Sequence, residues 1–222
     1  MSMKEFGFGA GDEALDSKGR RFKAKEGESY RMSLAWWPGL EEGKPNLDAD
    51  SPRFVGCKRL YLEGVGYFVD NGPEFQRLVG GQAGKMYAGT IIIVWPLDSR
   101  GKLDPARFAA GDCKVYSWVM SADKYRVIQQ NHNQFPLGQH DIMVSCTDTK
   151  FQKITVSPCR ENLLRKLIEA NKADTVLAAA RELAPDMGTE IAHNLTIDQI
   201  REKLARAAGG GAPAFGGGAA FG

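Results

Sequence analysis

The chain has 222 residues, 43% hydrophobic and 25% charged, with a formal net charge of +2. That usage is globular: long enough for one good core with an appendage, and too apolar for disorder throughout. The longest unbroken apolar runs are five residues, at 91–95 and 176–180, against about 20 for a membrane-spanning helix, so no membrane partner is expected. The first 30 residues mix Lys4, Glu5, Asp12, Glu13 and Asp16 with no apolar stretch, which predicts a chain without a secretory signal, resident in the cytoplasm.

Cys57, Cys113, Cys146 and Cys159 are scattered singly, with no C-x-x-C pair. They read as reduced thiols and small buried hydrophobes. A zinc site would have to gather its ligands from distant strands, so no metal or cofactor is expected. Charge is unevenly spread. Residues 1–52 hold 8 Lys+Arg against 10 Asp+Glu, 53–160 hold 14 against 9, and 161–222 hold 7 against 8. A modestly basic middle is compatible with nucleic acid.

In chain order, residues 1–21 form a flexible basic amino-terminal arm. With Lys23 and Lys25, the cations Lys18, Arg20 and Arg21 are either a solvated surface or a contact to phosphate or a neighbouring molecule. Strands are expected at 30–36 and 53–62, with 67–69 as a short hairpin partner after Gly64 and Gly66. One or two helical turns fit 73–79. The β-branched run at 89–96, ended by Pro96, predicts a central strand buried on both faces. Residues 97–112 read as a loop and 113–120 as a strand. Ser121 caps a short helix at 123–130. Residues 138–146 and 151–156 make a hairpin about a turn at 147–149.

After Pro158 the periodicity turns helical. Leu163, Leu164, Leu167 and Ile168 share one face, as do Val176, Leu177, Ala180 and Leu183. Residues 185–188 break the run, and Thr196 caps a last helix to 207 with Ile197, Ile200 and Leu204 on one side. These faces either complete the core or drive self-association. Residues 208–222 are a Gly/Ala/Phe low-complexity tail. The plan is a β-rich α+β body, a small closed or partly open barrel over 22–160, then a helical segment at 161–207.

Catalytic signatures are absent: there is no G-x-S-x-G, H-E-x-x-H, phosphate-binding loop or dinucleotide fingerprint. Gly7-Phe8-Gly9 follows no strand. Of His132, His140 and His193, only His140 shares a strand with a cysteine, and Cys146 is six residues away, about 20 Å by strand rise. Aromatics interleaved with cations are more informative. Lys114, Tyr116, Trp118 and Met120 alternate onto one face, as do Cys57, Arg59, Tyr61 and Glu63, and Phe151, Lys153 and Thr155. Single-stranded nucleic acid needs this combination, with bases stacking on rings and cations following the backbone. The competing assignment is core packing and cross-strand pairing. Trp95 reads as core. One of Trp36 and Trp37 must face outward unless the chain bends at Pro38.

The segments IIIVWPLDSRGK, CKVYSWVMSADKYRVI and PLGQHDIMVSCTDTKFQKITV carry a motif order. A buried strand ends in a Pro/Asp loop and leads to a Lys-Val-aromatic-x-aromatic strand. A helix follows, then Gly and Asp before a hairpin. In this order the chain resembles the replicative single-stranded DNA-binding, or helix-destabilising, proteins of tailed bacteriophages. The resemblance covers residues 89–159 and, more loosely, 22–160. It implies an OB-fold, and a non-catalytic coat on strands exposed in DNA replication or recombination. It places Lys114, Tyr116, Trp118, Phe151 and Lys153 where base-stacking and backbone-contacting residues are expected. Arg59 and Tyr61 join them on alternation alone. Single-stranded DNA is then the partner, with self-association on DNA and replication proteins as further ones. Two features depart from the family: no Cys/His zinc cluster, and no acidic carboxy-terminal tip, since the tail offers only Phe215 and Phe221. An adaptor that binds a protein through its helices and Phe-Gly tail is the alternative. A hydrolase using Asp98, Asp104 and Asp141 is a second one.

Overall fold

The computed structural model describes residues 20–62, 66–69, 72–148, 153–192 and 197–209. The strands are β1 (Ser29–Leu34), β2 (Val55–Leu62), β3 (Gly66–Val69), β4 (Lys85–Trp95), β5 (Lys114–Ser121), β6 (Ile142–Cys146) and β7 (Ile154–Pro158). The helices are α1 (Pro73–Leu78), α2 (Pro105–Ala109), α3 (Ala122–Gln134), α4 (Leu163–Glu169), α5 (Asp174–Leu183), α6 (Met187–Ala192) and α7 (Ile197–Gly209). The protein is thus mixed α+β, with a mostly antiparallel seven-stranded sheet. Its described residues divide into two compact units, one of 20–56 and 86–191, the other of 57–85 and 192–209.

In the first unit β1 is the hub. It pairs antiparallel with β4, from Arg31↔Trp95 to Leu34↔Ile92, and with β6, from Ser29↔Ser145 to Met32↔Ile142. β5 extends the sheet beyond β4, and β7 extends it beyond β6. The order is β5-β4-β1-β6-β7. The run Ile91, Ile92 and Ile93 is fully buried, because strands flank it and the core of Trp37, Trp118, Leu164, Leu177 and Met187 surrounds it. Helices α4 and α5 supply their apolar faces to that core, through Leu163, Leu164, Val176, Leu177, Ala180 and Leu183. The expected barrel is not closed: among the described residues no ladder joins β5 to β7. The outer edge of β5 takes one isolated parallel bridge, Arg21↔Ser117, while α3 packs against both β5 and β7.

Three local expectations change. Residues 105–109 of the supposed loop form α2, with Pro105 in its first turn and the Asp104 carboxylate accepting from the Ala106 and Arg107 N–H groups, a favourable start for so short a helix. Pro185 does not end the helical region. It occupies the first turn of a 3-10 segment, Ala184–Asp186, where its missing N–H costs nothing, and α6 follows. Residues 138–141 are not strand, because Gly138 is pressed against the backbone of Leu47. The chain also bends after β1 through Gly39, at φ +85°, so that both Trp36 and Trp37 turn inward.

The second unit has its own small core. Leu60 and Leu62 of β2, Phe68 of β3, Phe75 and Val79 around α1 and Ile200 of α7 pack together. Of the cysteines, Cys146 is buried and the other three are half-buried. Thr196, His193, residues 1–19 of the arm and 210–222 of the tail lie outside the described residues.

A Cβ on Gly138 would overlap the Leu47 carbonyl oxygen. The loop cannot retreat easily, since Arg165 Nε donates to Gly138 O at 2.8 Å and Asn162 Nδ2 to Leu137 O at 2.7 Å. Gly138→Ala is therefore expected to destabilise the protein by about 2–3 kcal/mol, read as a lower urea midpoint with an unchanged slope. An unchanged midpoint would show that the 38–47 loop yields freely.

Candidate nucleic-acid interface

The hairpin of β2 and β3 separates its faces by strand alternation. Leu60, Leu62 and Phe68 enter the second unit's core, so Tyr61 and Tyr67 must face out. They are direct cross-strand partners, 51% and 41% exposed, with ring centroids 5.0 Å apart at 57°. Arg59 lies on the same face but is only 3% exposed. Its guanidinium carbon is 4.4 Å from the Tyr67 ring centroid, a cation–π contact. This corrects one expectation: Arg59 is not a solvent-facing phosphate contact but a cation packed against the tyrosine ring. Tyr67 was not among the residues singled out by alternation, and its signal was the hairpin register that sets it opposite Tyr61.

On β5 the alternation is right and the direction is reversed. Lys114, Tyr116, Trp118 and Met120 do share a face, but that face points into the core. Trp118 is 0% exposed, so its ring presents no surface on which a base can stack, and its assignment as a stacking residue is corrected. Tyr116 is half-buried, 6.0 Å from the Phe22 ring. Lys114, at the start of the strand, is exposed. All four tryptophans, Trp36, Trp37, Trp95 and Trp118, are buried.

The ladders bring the start of β5 and the start of β7 to the same end of the five-stranded sheet, where β4 and β6 finish. Lys114 and Lys153 therefore mark the two edges of one sheet end. Lys153 is exposed and its N–H donates to Asp148 Oδ1 at 3.2 Å, which orders the start of β7. Phe151 lies outside the described residues.

The acidic residues have other work. Asp98 accepts from the Arg100 and Lys102 N–H groups in a tight turn, and Asp104 caps α2. Asp141 is fully buried. One oxygen accepts from the Ser33 hydroxyl, the other from Arg31 Nε at 2.9 Å, and both face the Leu163 N–H at 3.3 Å. Burial pushes its carboxyl up from the usual 3.8 to about 6, against the opposing pull of Ser33, Arg31 and Leu163. Asp98 and Asp104 thus serve one loop, closed by the Leu97↔Leu103 bridge, and Asp141 serves the core. Among the described residues no group of three or more His, Cys, Asp or Glu is placed to hold a metal ion.

Comparison of the chain with protein-family models, with curated proteins and with solved structures gives no match.

A raised carboxyl pKa means that the folded chain keeps a proton the unfolded chain has lost. The stability from Asp141 is therefore complete below about pH 4 and is lost as the pH rises through about 6. Glu41 and Glu161, held below the usual carboxylate range by hydrogen bonding, act in the opposite sense at lower pH. Comparison with Asp141→Asn, whose amide does not titrate, isolates the first effect. The stability advantage of the native chain over the variant should shrink by roughly 3 kcal/mol between about pH 4 and 7 in urea unfolding. A pH-independent difference would contradict this.

Proposed function

We propose that the chain is a non-catalytic single-stranded DNA-binding protein that coats exposed strands in bacteriophage DNA replication or recombination, in the host-cell cytoplasm and with little sequence preference. The exposed Tyr61–Tyr67 pair, backed by Arg59, carries the reading. Large aromatic rings left in solvent lose burial free energy, and base stacking recovers it at roughly 1–3 kcal/mol per base, whatever the base. Lys114 and Lys153 add phosphate neutralisation, which is equally blind to sequence.

Connectivity supports the finer expectation of an OB-type fold. Strands β1, β4 and β5 form a meander, α3 follows, and β6 and β7 return beside β1. A five-stranded, partly open Greek-key barrel has this arrangement, and such barrels bind oligonucleotides on the face of their second and third strands and on the first-to-second and fourth-to-fifth connections. By that correspondence Lys114 and Tyr116 belong to the third strand. Arg59, Tyr61 and Tyr67 belong to the long β1–β4 connection, and Phe151 and Lys153 to the β6–β7 turn. Within the first unit, exposed Lys114 opens the third strand and exposed Lys153 closes the fourth-to-fifth connection, whereas Tyr116 lies on the core side of its strand; the Tyr61–Tyr67 platform belongs to the second unit.

The double variant Tyr61→Ala/Tyr67→Ala should bind single-stranded DNA at least about tenfold more weakly, alike for all sequences, with an unchanged circular dichroism spectrum because both rings are on the surface. Lys114→Ala and Lys153→Ala should each lower the slope of log K against log salt by roughly 0.7. Unchanged affinity in the tyrosine variant would remove the hairpin from the interface.

A further inference from the structure

We propose that the aromatic seat filled by Phe22 is a second nucleobase site, and that the segment carrying Phe22 is a displaceable strap over it; this rests on the single-stranded DNA reading above. Phe22 is 7% exposed. Its ring meets Tyr30 at 5.0 Å and 90°, Trp118 at 5.8 Å and 79°, and Tyr116 at 6.0 Å and 58°. Tyr30 and Tyr116 are half-buried, so the seat lies one ring below the surface. The strap docks on the outer edge of β5 through the isolated Arg21↔Ser117 bridge. In it the Phe22 N–H donates to Ser117 O at 2.8 Å and the Ser117 N–H to Arg20 O at 2.7 Å. The Arg20–Glu182 pair at 3.2 Å joins groups that are both solvent-accessible, where an ion pair contributes little.

The Trp118 ring that Phe22 meets carries an anomaly. The indole N–H of Trp118 is buried and has no hydrogen-bond acceptor among the described residues. Buried donors without acceptors are rare and destabilising. A phenyl ring offers no carbonyl or ring nitrogen to such a donor. A nucleobase offers both, on an aromatic disc of comparable thickness. Exchange of Phe22 for a base would conserve aromatic burial, supply the missing acceptor, and free the Ser117 N–H and C=O on the edge of β5.

A strap that must open lowers apparent affinity by the fraction of molecules in which it is open. If that fraction is about one in ten, its removal tightens binding about tenfold. In the full chain, Phe22→Ala should therefore bind oligo(dT) about tenfold more tightly, and Phe22→Ala/Trp118→Phe, which keeps a ring but removes the N–H, should lose that gain. Hydrogen exchange on the unaltered protein tests the same point without a variant that could misfold: saturating oligo(dT) should accelerate exchange at the Phe22 and Ser117 amides. Binding with those two amides still protected overturns the strap and leaves the DNA-binding reading intact. Absence of oligo(dT) binding by both the unaltered chain and Phe22→Ala overturns both.

Discussion

One buried carboxylate, Asp141, organises the first unit. Its side chain reaches Ser33 and Arg31 on β1 and the Leu163 N–H at the start of α4. Its own N–H donates to Glu161 O at 3.0 Å, and its carbonyl accepts from the Cys159 N–H at 2.8 Å. Ser33 in turn accepts from the Trp95 indole at 2.8 Å, which brings in β4. A carboxylate with no access to solvent is tolerated only when its oxygens are satisfied and a cation lies beside it. Here β1 and the start of α4 meet those requirements, while the backbone bonds to 159–161 and the Trp95–Ser33 bond tie in that segment and β4. With β1, β4 and β6 locked in this way, β5 and β7 become the sheet edges, and Lys114 and Lys153 are carried to one end of the sheet.

Much of this organisation was legible in the sequence. Unbroken β-branched residues at 91–94 leave no polar face, so β4 had to be central. The apolar periodicity of Leu163, Leu164, Leu167 and Ile168 required something to pack on, and the core of the first unit supplies it. Less legible were features that depend on distant backbone. Nothing local to Gly138 announces the Leu47 carbonyl, which is why the strand starts four residues later than expected. Nor does alternation reveal the Arg21↔Ser117 bridge, because a single pairing leaves no periodic trace.

The candidate interface shows what alternation can and cannot decide. It assigns residues to a common face, but it does not say whether that face meets water. On β5 the choice had a physical basis: Tyr116, Trp118 and Met120 offer far more apolar area than Val115, Ser117 and Val119, so burial favours the aromatic side. On β2 the balance reverses, since Leu60 and Leu62 outweigh a face that includes a guanidinium, and Tyr61 is left outside. The same pattern of aromatic and cation therefore became core on one strand and exposed platform on the other. Tyr67 completes that platform through register, which emerges only once the hairpin is formed.

Sequence-independent binding of single strands is the central claim, and its most direct test is fluorescence anisotropy of an end-labelled mixed-sequence DNA of about 30 nucleotides, longer than the site of a typical single-strand-binding module. A label on the DNA is preferable to intrinsic fluorescence because all four tryptophans are buried. The same oligonucleotide as duplex, and two salt concentrations, complete the measurement. The account predicts tight binding that weakens with salt and strongly favours the single strand. No binding at low salt, or equal affinity for duplex, would contradict it.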